Sequence, residues 1–480
     1  MEELLEVGKK ASKHARKLGV DEAEIFLYKE NLTSIKFVGG IFASRGGALK
    51  GLRGSLLRIA EPWIKKKGLP VITGGVRAGV GIRVVVKKAI GFASVSSIKE
   101  KKIMETVENA TKIAKIRPPD PSWDSLPKPK KPRGQNGISD EKIQNLDIDE
   151  TLKLCVDSCI VAGDFDRKIT QAMMGLSASA MTFAVINTKD IEVGDKGTTF
   201  TVFMATKAKS GNEEVSSSDM LMSRTYIENL QEFATNTSRN AIECLGKKPL
   251  PEKHIGPVVF ENISWHQLFS TIFTPSISAL NVQENRSIYK GQIGKQIAEK
   301  SLEVVDDGTL LEGFGTTIVD DEGTPKQRTP VIENGALQNF LYDNYSAKRE
   351  NKESTGNANR HRPPIASYAN IPMIRPTNLV IQPQRGNLEN LVSENNSGVL
   401  VKGSLIGVHT SNVITGDFSV TADNAFKIEN GRVAYPLKAC TVAGNLYESL
   451  KSIIAVGNDS KCFGNVICPS VAVEKIVVAT

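Results

Sequence analysis

From residue 250 to the C-terminus, short apolar runs alternate with Asp-Gly, Glu-Gly and Asn-Gly steps: VVDDGTLLEG, TTIVDDEGTP, TPVIENGALQNF and AFKIENGRVAYPL, ending on VAVEKIVVAT. Such steps accept positive φ with little strain and reverse the chain within two residues. They join antiparallel neighbours, whereas parallel strands need long crossovers. The expected class is therefore α+β: N-terminal α/β segments followed by a large, strand-rich domain of antiparallel sheet.

Upstream, a Pro- and Lys-rich stretch, PPDPSWDSLPKPKKPRGQNG, divides the rest. Proline fixes φ and removes backbone donors, so this stretch reads as a linker. The chain of 480 residues then parts into an N-terminal α+β domain (1–117), a linker (118–139), a central α+β domain (140–249) and the β-rich domain (250–480). The opening MEELLEVGKKASKHARKLG lacks the apolar core of a signal peptide and reads as an amphipathic helix with Leu4, Leu5, Ala11, Ala15 and Leu18 on one side. Residues 98–117 repeat Ile103, Val107, Ala110 and Ala114 at helical spacing, and DIDETLKLCVDSCIVAGDFD and IENLQEFATNTSRNAIECLG predict two more helices, the second with Gly246 as its C-terminal stop. Between those two run strand-like segments, with Asn-Thr-Lys-Asp and Gly-Asp-Lys-Gly supplying turns.

Lys plus Arg exceed Asp plus Glu by 61 − 53 = 8. The excess is concentrated: residues 45–88 hold eleven Lys or Arg against one acid, Glu61, and 49–68 would suit a short basic amphipathic helix. Few aromatics interleave with these charges, so a solvated or docking face is favoured over nucleic-acid binding. No run approaches the length of a membrane-spanning helix. Six cysteines without framework spacing fit a reducing cytoplasm.

The residues show no catalytic constellation. The five histidines (14, 254, 266, 361, 409) include no pair within a turn and a half of helix, so the helical zinc-hydrolase motif is absent. Cys155 and Cys159 share a helix face as small buried residues, and Cys462 and Cys468 have no adjacent histidine. AGVGIRV (78–84) lacks the third glycine of a dinucleotide fingerprint and reads as a glycine-bent strand. Asp306–Asp307 and Asp320–Asp321–Glu322 precede glycine and read as turn-shaping acids.

Five blocks are distinctive: GVGIRVVVKKAIGFASVSS (79–97), FAVINTKDIEVGDKGTTFTVFMATKAKSG (183–211), GTPKQRTPVIENGALQNFLYDNYSAKRENKESTGNANR (323–360), GVHTSNVITGDFSVTADNAFKIENGRVAYPL (407–437) and CTVAGNLYESLKSIIAVGNDS (440–460). In sequence and order they resemble the TldD/TldE (PmbA) family, once called modulators of DNA gyrase and understood as a peptidase system. The basic insertion at 45–75 departs from the family pattern. In the TldD branch a helix carries His-Glu-x-x-x-His and a late cysteine completes a zinc site. In the matching segment here, ISWHQLFSTIFTPSISAL (263–280), reading from His266 puts Gln267 at the glutamate and Thr271 at the second histidine. Shifted by four, the positions hold Ser270, Thr271 and Pro275. The chain thus resembles the TldE/PmbA branch, which has no zinc of its own.

The resemblance implies a subunit without catalytic or metal-binding residues of its own. It implies pairing with a zinc-bearing TldD-like subunit in a heterodimer, zinc being held in that partner, and action on small or unfolded polypeptides. The polar loops that match best supply the expected substrate contacts: Asn357 and Arg360 in STGNANR, and His409, Thr415, Gly416 and Asp417 in HTSNVITGDFS. The competing readings are a stand-alone peptide-binding homodimer and an independent peptidase with zinc on Cys462 or Cys468 plus distant histidines.

Overall fold

A computed structural model of the chain describes residues 1–40, 68–132, 138–362 and 365–480. Most of the basic insertion, and the basic helix expected at 49–68, lie outside the described residues. Its last residues, 68–75, belong to a strand.

Four strands of 19 residues dominate the N-terminal half: β1 (Glu22–Gly40), β2 (Gly68–Val86), β4 (Ile169–Asn187) and β5 (Glu192–Ser210). With β3 (Ala89–Val95) and β6 (Glu213–Ser223) they form an antiparallel sheet in the order β3-β2-β1-β4-β5-β6. The first two segments of the sequence division therefore share one sheet, joined by the β1–β4 ladder from Glu24↔Asn187 to Gly40↔Gln171. Period-2 alternation sends one row of side chains to each face. One face is covered by helices. Glu2–Lys17 and Glu100–Ile116 pack Leu4, Ala11, Ile103 and Val107 on Ile25, Leu27, Val80 and Ile82. Ile148–Asp164 and Gln231–Glu243 pack Cys155, Cys159 and Ala234 on Phe37, Met174 and Phe200. Cys155 and Cys159 are thus core residues, and Gly246 adopts φ +86 just beyond the last helix.

The proline-rich stretch packs against the fold. Trp123 and Leu126 are buried; Trp123 Nε1 (3.0 Å) and the Leu126 amide (3.1 Å) both donate to Glu22. The Gly-Asp-Lys-Gly expected as a turn lies inside β5. Its glycines serve close approach: a Cβ on Gly194 would sit 2.5 Å from the Phe183 carbonyl oxygen, and one on Gly197 2.1 Å from Arg224 Nη2. Gly79 and Gly81 of AGVGIRV lie inside β2. A Cβ on Gly81 would lie 2.1 Å from the backbone oxygen of Tyr368, which crosses the sheet there.

The C-terminal half is built on a nine-stranded sheet and a second six-stranded sheet. In the larger one, His254–Phe260 lies between Val471–Ala479, antiparallel to it, and Ser397–Val401, parallel to it. Two Asn-Gly steps close hairpins with both residues at positive φ: Asn334-Gly335 (48°, 73°) and Asn430-Gly431 (51°, 69°). The α+β expectation holds, with two parallel strand pairs added. No helix among the described residues is long and apolar enough to cross a membrane.

The halves are locked by buried charge. Arg83 on β2 donates to Glu24 on β1 and to Glu322 of the C-terminal half, both at 2.7 Å. Arg360 donates to the other Glu24 oxygen and lies over the Phe26 ring, 4.8 Å from its centroid. The acids expected only to shape turns therefore do more: Glu322 and Asp320 are buried, and Asp320 gathers the amides of Glu322, Thr324 and Ala358.

Candidate functional site

The helix Asn262–Leu268 leaves the end of strand His254–Phe260 and continues as a π-turn, Phe269–Phe273. Trp265, Leu268 and Phe269 anchor it in the core, which turns His266 and Gln267 towards the neighbouring segments. The His266 ring stacks on Phe463, with centroids 4.7 Å apart. Its Nδ1 is buried without a partner among the described residues, and burial pushes its pKa down to about 4, so the imidazole is neutral at ordinary pH. Gln267 Oε1 accepts the Leu405 amide at 2.6 Å, which fixes this side chain to a structural task. Cys468 is buried, its Sγ 3.3 Å from the Asn262 carbonyl oxygen, and Cys462 Sγ donates to Gly464 O at 3.5 Å. Burial holds the Cys462 thiol at a pKa of about 11. Zinc needs three or four converging N, S or O donors. Among the described residues no group of three His, Cys, Asp or Glu side chains is placed to hold a metal ion. The donor set here does not fit zinc.

The six expected contact residues fall in two places. Asn357 and Arg360 are inside the protein. Asn357 Nδ2 donates to buried Asp306 at 2.6 Å, and Asp306 also accepts the amides of Thr377 and Asn378. Burial nonetheless raises Asp306 to about 6. Arg360 is 1 % exposed, with its donors on Glu24, the Asn370 carbonyl and the Asp321 carbonyl. The guanidinium expected to contact substrate instead donates to Glu24, through Nη2. Sequence spacing could not show this, because the partner lies 336 residues away.

His409 in the Val408–Thr410 turn, Thr415 after it and Asp417 at the start of strand Asp417–Ala422 are exposed on one connection, in which Gly416 is buried. Asp417 accepts from Thr415 Oγ1 at 2.6 Å and from Asn445 Nδ2 at 2.8 Å, which lowers its pKa. Gly416 has φ +88, and a Cβ there would meet the Tyr447 ring at 2.4 Å, so glycine is a packing requirement.

Two features escaped sequence reasoning. Among the described residues, the C-terminal half covers the face of the N-terminal sheet away from the helices around Phe26, Phe183 and Val319 and beside Gly81 and Glu24. Further along the same face, Leu32, Met173, Met181, Phe203, Met220 and Met222 remain partly exposed. Beside this open face lies a cleft of about 230 Å³ reaching Arg224 and Cys462. Alternating Met and small polar residues in β4 and β6 were the available signal.

Comparison with known proteins agrees with this architecture. Residues 70–114, 141–245 and 253–480 match, in order, domain 1, the central domain and the C-terminal domain of the PmbA/TldA metallopeptidases. An uncharacterised protein of Methanocaldococcus jannaschii is 30 % identical over 397 residues, 83 % of this chain and 88 % of that protein. The chain belongs to the PmbA/TldD family. Metalloprotease PmbA of Escherichia coli O157:H7 is 26 % identical over 416 residues, covering 83 % of this chain and 85 % of PmbA. The crystal structure of TldE from Thermococcus kodakarensis superposes with a TM-score of 0.84 over 99 % of this chain and 100 % of that one, at 24 % identity, and so shows the fold.

Proposed function

We propose that this chain is the TldE/PmbA-like subunit of a metallopeptidase complex, without a zinc site of its own, acting with a zinc-bearing TldD-like partner on small or unfolded polypeptides in the cytoplasm. The observation that carries the reading is the helix Asn262–Leu268. Its His266 is packed on an aromatic ring, its Gln267 is committed to the Leu405 amide, and among the described residues no group of three metal-donor side chains is placed to hold an ion. Glutamine cannot take a proton from water, so the helix keeps the fold and omits the chemistry. The family relationship supports the partnership, and six free cysteines suit a reducing compartment. In this reading the exposed loop with His409, Thr415, Gly416 and Asp417 meets substrate or partner. The open methionine-lined face suits sequence-variable polypeptide, because thioether side chains adapt to different surfaces.

The test is reconstitution with a TldD-like protein bearing the His-Glu-x-x-x-His helix. Each protein is assayed alone and mixed, by size-exclusion chromatography and by cleavage of an unfolded protein such as reduced casein. The expected result is a mixed complex whose cleavage exceeds that of either component. Cleavage by this chain alone, unaffected by the partner, contradicts the proposal.

A further inference from the structure

Arg224 follows directly on β6 and is 2 % exposed. A buried guanidinium is ordinarily held by a carboxylate. The hydrogen bonds of this one go to neutral carbonyls: Nη1 donates to Phe314 O (2.7 Å) and Thr316 O (3.2 Å), and Nη2 to Ile138 O (3.2 Å). Asp195 contributes attraction from nearby while itself accepting the amides of Ile318 and Lys196. Among the described residues the Arg224 Nε–H has no partner. Arginine stays charged even so, because its intrinsic pKa is too high for burial to neutralise it.

This cation lines the 230 Å³ cleft described above. Ser223 and Thr225, its neighbours in the chain, also line the cleft, with their hydroxyls 3.2 Å apart. The remaining walls are mostly apolar: Met222, Leu310, Leu311 and Ile467, with the Cys462 thiol. Glu312, held at φ +60, places the one acid of the lining at the exposed side. The volume equals about eight waters, comparable to one aliphatic residue with its carboxylate.

We propose that this cleft binds the C-terminal residue of a polypeptide, with the α-carboxylate at Arg224 and the hydroxyls of Ser223 and Thr225, and an aliphatic side chain against Met222, Leu310 and Ile467. A charged donor gives a carboxylate a shorter and stronger bond than a neutral amide receives. Glu312 repels negative charge in the cleft, so an acidic terminal residue with two carboxylates is disfavoured relative to a single carboxylate. The site lies where the open sheet face meets the C-terminal half, so a polypeptide lying on that face would have its end fixed there. The inference rests on the reading that the chain handles polypeptides, but its test needs neither the partner subunit nor peptidase activity.

Cys462 supplies the readout, since it is the one cysteine not fully buried and it lines the cleft. Its alkylation by iodoacetamide on the full-length chain is followed by mass spectrometry at pH 8.5, with N-acetyl-L-leucine or N-acetyl-L-leucinamide as probe. The expected result is at least fivefold slowing by the acid at millimolar concentration and little by the amide. Equal protection by both, or by neither, overturns the proposal. Arg224→Gln, if it folds, should abolish the preference for the acid, and a preference that survives overturns the proposal. Exposed Glu312→Gln, which leaves the fold untouched, should lower the concentration of acid needed for half-protection at least twofold; an unchanged value also overturns it. Failure of the chain to pair with a TldD-like partner would leave this result standing, so the two proposals fail separately.

Discussion

Glu24 is the residue on which most depends. It is fully buried, accepts from two arginines and ties the first strand of the chain to residues more than 300 positions later. Removing one partner of a buried pair leaves an uncompensated charge, which costs about 3 kcal/mol or somewhat more. Glu24→Gln should therefore lower the unfolding free energy by about 3 kcal/mol in urea, whereas Glu108→Gln, on an exposed pair with His14, should change it by less than about 1 kcal/mol. Equal effects would remove the ion network as the lock between the halves. His266 makes a second, pH-dependent prediction. Its folded pKa is about 4, below the roughly 6.5 of an unfolded histidine, so the unfolded chain binds the proton first as pH falls. The group leaves stability unchanged above pH 6.5 and lowers it between 6.5 and 4, by up to about 3 kcal/mol. His266→Phe, which keeps the stack on Phe463, should flatten that part of the stability curve relative to wild type. Parallel curves for the two proteins would contradict the burial assigned to this imidazole.

At the scale of elements, the turns were the most legible part of the sequence. Asn334-Gly335 and Asn430-Gly431 close the hairpins their residue types demand, because local backbone preference decides a two-residue turn. The helices followed from 3.6-residue periodicity for the same reason. Gly-Asp-Lys-Gly in β5 was misleading because its glycines answer to distant atoms, the Phe183 carbonyl and the Arg224 guanidinium, that only the folded sheet brings near. Arg360 and Asn357 show the same limit at the candidate site. Their loop has the composition of a binding loop, but their partners, Glu24 and Asp306, come from other parts of the chain. That the helix Asn262–Leu268 and the π-turn after it hold Gln267 and Thr271 where His-Glu-x-x-x-His would place Glu and His was legible, because it depends on residue identities at fixed spacing. Gly81 gives the test at this scale. Its hypothetical Cβ meets backbone, the Tyr368 oxygen at 2.1 Å, which cannot rotate away. Gly81→Ala should cost about 2 kcal/mol and speed hydrogen exchange in the Ser367–Ala369 turn before that of β4. Unchanged protection of the turn would show that the crossing is loosely held.

Over the whole molecule, a sheet covered by helices on one side and partly exposed on the other joins a β-rich half in which His266 stacks on Phe463 and Gln267 accepts the Leu405 amide. In the proposed complex the loop of His409 faces substrate or partner. His409→Ala, an exposed change, should leave the stability of the chain unaltered while lowering kcat/KM of the reconstituted complex about tenfold. A complex with unaltered kinetics would remove this loop from the working surface. The central claim, that this chain carries no catalytic zinc, is tested most directly by elemental analysis of the purified protein, with Cys462→Ser and Cys468→Ser alongside. The account predicts near-zero zinc in all three. About one zinc per chain, lost in either cysteine variant, would contradict it and place a metal site on this subunit.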